Sequence, residues 1–217
     1  DEPFMKEIAS AISDEVRAKY NEATGQDDLA VKALKALPDA VGGRFLAQKY
    51  WYRGLTCWSP NINIFRDPRW GRGHETYGED PFLTSRLGVA FVQGLQGEDL
   101  DILKVVATPK HFAVHSGPEG LRHGFNAVVS QKDLRETYLP AFKACVQEGR
   151  AASVMSAYNA VNGEPCSANV KLLQHILRDE WGFDGYVVSD CGAIRDIYIN
   201  HHRAANYPEA AARAVQA

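Results

Sequence analysis

Apolar side chains at Met5, Ile8, Ile12, Val16 and Tyr20 recur at intervals of three or four, with most charges between them. That spacing predicts an amphipathic helix over residues 5–20. Residues 29–37 predict a further helix stopped by Pro38, and Gly42-Gly43 marks a turn. Short apolar runs at 55–58, 103–107, 153–156 and 186–189 predict four strands. Between them lie helical stretches at 81–96, opened by Pro81 at the favoured first turn, at 133–148, ended by Gly149, and at 168–179. A last helical stretch starts near Pro208. Residues 61–80 form a long loop of Gly, Pro, Arg and aromatics with little core-forming character, a polar loop runs to Asn126, and Gly163-Glu164-Pro165 is a turn.

Strands alternating with helices predict an α/β chain with a parallel sheet and crossover helices. The favoured architecture is a (β/α)8 TIM-barrel-like domain. Such a barrel takes about 250 residues, and only four strands are evident in these 217. The sequence is therefore read as part of a barrel, opening at Asp1 in the middle of a fold.

Parallel barrels place their working side chains at the C-terminal ends of strands. Here those ends carry Asn61, Lys110 with His111, Met155 with Tyr158, and Asp190. A strand-end carboxylate such as Asp190 can be a nucleophile, a general base, a metal ligand or a cap for the following helix. Lys110 offers three donors and His111 a donor or an acceptor, a set suited to sugar hydroxyls; the alternative is a salt-bridged lysine beside a core histidine. His111 and His115 stand four apart, but on a strand end and loop rather than a helix, so no metal is read there. Tyr158 is an aromatic wall with a hydroxyl donor, or core packing. In the loop from Arg66 to Asp80 most ions are expected to brace the loop itself, with at least one arginine facing a ligand.

The remaining features narrow the classes. Net charge is −3 with no polybasic run, which points away from nucleic acid and anionic membranes. No apolar stretch approaches the ~18 residues of a membrane span. Cys57, Cys145, Cys166 and Cys191 form no CxxC pair and are expected to be mostly free thiols. His74-Glu75 lacks the second histidine of HExxH, and neither Gly71-Arg72-Gly73 nor Gly117-Pro118-Glu119-Gly120 has a phosphate-loop pattern.

Taken together, Trp58-Ser59-Pro60-Asn61-Ile62-Asn63 with Asp67-Pro68-Arg69-Trp70-Gly71-Arg72, then Lys110-His111-Phe112, Val154 to Asn159, and Val188-Ser189-Asp190 resemble glycoside hydrolase family 3. The likeness runs from about Met5 to Ile197 and is weakest over 24–50. It implies an N-terminal barrel domain, with 1–217 as part of it, that releases β-linked sugars with retention. Asp190 matches the family's nucleophile. Arg72, Lys110 and His111 match residues that grip sugar hydroxyls, Tyr158 an aromatic beside the nucleophile, Met155 a packing residue beneath it, and Arg122 a further site arginine.

A retaining mechanism needs a second carboxyl group about 5–5.5 Å from the first. In this family it usually comes from a second α/β domain, C-terminal to the barrel. Glu75, Glu79 and Glu119 do not match it, and the family's early sugar-binding acid precedes Asp1. Cys191 stands where many β-glucosidases carry Trp. With the stretch from Ala113 to Glu119 it resembles the β-xylosidase branch, and it departs from the Lys-His-Phe-Pro-Gly-His-Gly of the N-acetylglucosaminidases. The expected substrate is an oligosaccharide or aryl glycoside, xylose before glucose, with no cofactor. Expected partners are a complementing domain or a second copy, and the family's habit implies a secreted or periplasmic setting. The alternative of another class is a non-catalytic sugar-binding fragment or subunit.

Overall fold

The computed structural model describes residues 1–24, 53–99 and 101–217; the helix expected at 29–37 and the turn at Gly42-Gly43 lie outside them. The described chain runs through α1 (Glu2–Thr24), β1 (Thr56–Cys57), α2 (Pro81–Gln96), β2 (Val106–Ala107) and β3 (Asn126–Ala127). It continues through α3 (Pro140–Gln147), β4 (Ser153–Ser156), β5 (Ala160–Val161), β6 (Glu164–Pro165), a π-type helix (Lys171–Glu180), β7 (Tyr186–Ser189), α4 (Ala193–Ile199) and α5 (Tyr207–Gln216).

The four expected strands are β1, β2, β4 and β7, and they lie side by side in parallel. Thr56 pairs with Val106, and Ser153 through Ser156 pair with Tyr186 through Ser189. Parallel bridges Asn61–Lys110 and Phe112–Ser156 extend the pairing past the strand ends and join the two pairs. The order across the array is therefore β1-β2-β4-β7, with every C-terminal end on one edge. Thr56 Oγ1 lies 2.9 Å from the Tyr186 hydroxyl, a contact between the two outermost strands. This is a parallel α/β array; no closed barrel is seen among the described residues.

Helices cover the array. Phe112 packs its ring at 5.0 Å from Phe142 and 5.8 Å from Trp181, within a core that includes Ile62, Leu95, Val154, Leu172 and Ile176. Ile62, Ile64 and Trp70 are buried too, so the long loop contributes to the core, contrary to its composition. The turn expected at Gly163-Glu164-Pro165 sits one residue earlier. Asn162 and Gly163, with φ of 50° and 91°, form the tight turn of hairpin β5–β6, the Asn-Gly pairing that a left-handed two-residue turn favours.

Candidate active site

Each strand delivers one wall of a single cluster. After β7 the chain places Asp190, whose backbone N–H still donates to Ser156 O at 3.1 Å. The side chain does not cap α4: Oδ1 accepts the Cys191 N–H at 2.7 Å, and the cap position falls to Gly192, which makes no side-chain bond. Asp190 Oδ2 is buried with no hydrogen-bond partner. An unpaired buried carboxylate oxygen costs several kcal/mol unless something else meets it. His111 Nε2 stands 3.5 Å away.

His111 is 1% exposed and tightly held. Its N–H donates to Asn63 Oδ1 at 2.8 Å, its Nδ1 lies 2.9 Å from the same oxygen, and its carbonyl accepts from Asn63 Nδ2 at 2.8 Å. Nε2 meets Arg72 Nη1 at 3.0 Å. Burial first, then the neighbouring ring and cations, hold the His111 pKa well below its ordinary value, so the ring is neutral.

Arg72 is aimed by Glu75, which takes Nε and Nη2 at 2.7 Å each. The same bonds hold the Glu75 carboxyl below its usual range. Glycines flank Arg72 because side chains would collide there: a Cβ on Gly71 would lie 3.0 Å from the Glu119 carboxyl group, and one on Gly73 2.5 Å from the Phe65 ring. Most other ions of this loop brace it, as its composition led one to expect. Asp67 pairs with Arg69, and the Arg66 guanidinium lies over Tyr138 at 5.2 Å. Lys110 is half-buried, and burial with the nearby Arg72 charge lowers its pKa.

Tyr158 forms the opposite wall. Its ring packs on His123 at 4.3 Å and His115 at 5.9 Å, with the Arg122 guanidinium 5.9 Å above it. Burial first, then the charge of the Asp190 carboxylate and the approach of the Tyr158 hydroxyl to it, raise its pKa. Met155 is buried in β4, and Cys191 is exposed at the mouth. Glu119 is held between the Gly71 N–H, 3.2 Å from its Oε2, and Arg122 Nε, 3.2 Å from its Oε1.

All eight residues singled out from the sequence thus fall in this neighbourhood. Four contributors were given no role there. Asn63 clamps His111. His115 lies 4.7 Å from the His111 ring and bonds Asn159 Oδ1 through Nδ1 at 3.1 Å. Asp196 holds His123 Nδ1 at 2.7 Å. Only the Asn-x-Asn spacing, which puts Asn61 and Asn63 on one side of an extended segment, signalled any of this beforehand.

This arrangement is chemically a carboxylate with one free buried oxygen, walled by fixed donors and an aromatic ring. Residues 40–217 match the model of the glycosyl hydrolase family 3 N-terminal domain. A xylan 1,4-β-xylosidase of Xylanibacter ruminicola is 54% identical over 167 residues, covering 76% of this chain and 19% of that protein. A β-xylosidase/α-L-arabinofuranosidase of Medicago sativa subsp. varia is 49% identical over 98% of this chain and 24% of its own length. The chain thus spans about a fifth to a quarter of these curated relatives. Among solved structures, a family 3 exo-β-xylosidase in complex with a xylobiose aziridine probe superposes with a TM-score of 0.81 at 35% identity, over 100% of this chain and 25% of that one. A β-glucosidase from Listeria innocua in complex with isofagomine gives 0.67 at 40% identity, over 74% of this chain and 23% of that one. On the match of its residues 40–217, this chain belongs to glycosyl hydrolase family 3, by that family's N-terminal domain.

Proposed function

We propose that these residues form the nucleophile half of a retaining, exo-acting β-glycosidase site, and that the sugar released is xylose. Residues 1–217 are then part of a (β/α)8 barrel domain. The observation that carries the reading is Asp190 Oδ2, buried and unpartnered at a strand end beside Arg72, Lys110 and His111. Asp190 attacks the anomeric carbon, the glycosidic bond breaks, and a glycosyl ester forms on Oδ2. Water later attacks that ester and returns the carboxylate. Arg72 and Lys110 donate to hydroxyls of the bound sugar, and Tyr158 lies against its face.

The leaving oxygen needs a proton. Glu75 is locked by Arg72 with its pKa lowered, and Glu119 is tied to Gly71 and Arg122. Neither carboxylate is free to hold and deliver the proton that a general acid gives. The donor is therefore assigned to a complementing domain or chain, consistent with the small share of its relatives that this chain spans. Xylose is placed before glucose because the curated relatives named above are called xylosidases, at 49–54% identity.

Hydrolysis of aryl β-xyloside and aryl β-glucoside tests the reading, with Asp190→Ala alongside. An aryl leaving group needs little acid help, so slow turnover is expected even without the second carboxyl group. The variant should lose at least about 10³-fold in kcat. Equal turnover by parent and variant would sink the assignment of Asp190, and faster glucoside than xyloside hydrolysis would replace xylose with glucose.

A further inference from the structure

We propose that Asn63 is a positioning residue that locks His111 in its Nδ1–H tautomer, so that Nε2 is a permanent acceptor and Asp190 Oδ2 is left without a donor from the imidazole. This inference rests on Asp190 being the reacting carboxylate.

The argument is one of hydrogen-bond accounting. The backbone N–H of His111 can only donate, so the Asn63 atom it meets at 2.8 Å is the amide oxygen. The His111 carbonyl can only accept, so the Asn63 atom 2.8 Å from it is the amide nitrogen. The two backbone groups therefore fix the amide without ambiguity. That oxygen also faces His111 Nδ1 at 2.9 Å. Two lone pairs cannot share such a distance, so Nδ1 carries the proton. The ring is buried near Arg72, Lys110 and Arg122, surroundings that oppose a second proton.

Nε2 then holds the ring's one free lone pair. It accepts from Arg72 Nη1 at 3.0 Å, while Glu75 occupies the other edge of that guanidinium. Asn63, His111, Arg72 and Glu75 form one continuous chain of hydrogen bonds from amide to ring to guanidinium to carboxylate. Asp190 Oδ2, 3.5 Å from Nε2, receives no hydrogen from the ring. In the opposite tautomer Nε2–H would oppose the Arg72 N–H and put a hydrogen near that oxygen, 3.5 Å from Nε2, drawing off electron density that attack requires.

Histidine-selective ¹⁵N labelling and long-range ¹H–¹⁵N correlation at neutral pH read the tautomer directly. His111 is identified by the signals lost in His111→Asn or, should that variant not fold, by those that move in Arg72→Lys. The expected spectrum has a protonated Nδ1 and a bare Nε2, and Asn63→Ala should populate the Nε2–H form. Protonated Nε2 in the parent, or an unchanged tautomer in Asn63→Ala, overturns the proposal. Kinetics give the second readout: kcat on aryl β-xyloside should fall about ten-fold or more in Asn63→Ala with KM little changed. Parent-like kcat in that variant also overturns it. Full activity in Asp190→Ala would instead remove the underlying glycosidase reading while leaving the tautomer measurement intact.

Discussion

His111 and His115 are both almost fully buried, with ring centroids 4.7 Å apart, and they make the stability of the fold sensitive to acid. Burial chiefly lowers the His115 pKa from 6.5 to about 4, and His111 is pushed down for the same reason. A histidine depressed in the folded state takes up its proton first in the unfolded chain. Its contribution to stability is complete above pH 6.5 and is lost as the pH falls toward the folded value. Each such histidine should tilt the unfolding free energy by about 1.4 kcal/mol per pH unit between those limits. Denaturant melts at several pH values from 7 to 4 will show the slope. His115→Asn keeps a donor for Asn159 Oδ1 and should remove one histidine's share; an unchanged slope would mean His115 is protonated in the fold. None of this was legible in the sequence, where His115 was weighed only as a metal ligand four residues from His111. Strand-end position gave Asp190, Lys110 and His111, because the end of a strand follows from its pattern. Which side chains would enclose them depended on loops, where local pattern carries little three-dimensional information.

Elements were legible where periodicity ran long. The helix expected at 81–96 matches α2, with Asp80 capping it by accepting the Leu83 N–H at 2.6 Å, and the strands at 153–156 and 186–189 match β4 and β7. Misses came from short or interrupted elements. The helix expected over 133–148 starts earlier, at a Ser130 cap, and carries a π-type turn before Pro140. Pro140 has no N–H to offer and its ring crowds the preceding turn. There the Leu139 N–H reaches back five residues to Leu134 O at 3.0 Å. Strands β3, β5 and β6 have two residues each, too few to show alternation. Helix α4 escaped because Gly192, at φ 81°, opens it with no side-chain cap. The interface of α1 with α2 also depends on a feature with no periodic signal. A Cβ on Gly94 would run into the Lys6 carbonyl and the Ala9 side chain. Gly94→Ala should therefore destabilise the fold by about 1–3 kcal/mol despite alanine's better helix propensity. A thermal melt decides it, since a raised melting temperature would mean that α1 moves aside at no cost.

At the scale of the whole molecule, the described residues form an array whose outer strands each pair on one side. Among the described residues β7 pairs on one side only, with β4. A cleft of about 490 Å³ is lined by Tyr186, Val187 and Ser189 of β7, by Ser156 of β4 and by Val215 of α5. Val215 is 88% exposed, and Phe82, Ile102 and Phe4 are exposed elsewhere. Unpaired parallel edges and scattered large apolar groups favour association, since another strand gains both hydrogen bonds and burial there. The contact of Thr56 with Tyr186 brings together the first residues of β1 and β7, the outer strands of the described array. On these grounds the purified 217-residue chain should elute ahead of a 24.0 kDa monomer and shift further with concentration. A lysine at Val187, on the free strand beside the cleft, should weaken that shift if association runs through β7, whereas a lysine at Phe82 should not. A sharp monomer peak at every concentration would mean that the chain covers its own margins, and that the second carboxyl group must reach the site by a route other than completing this sheet.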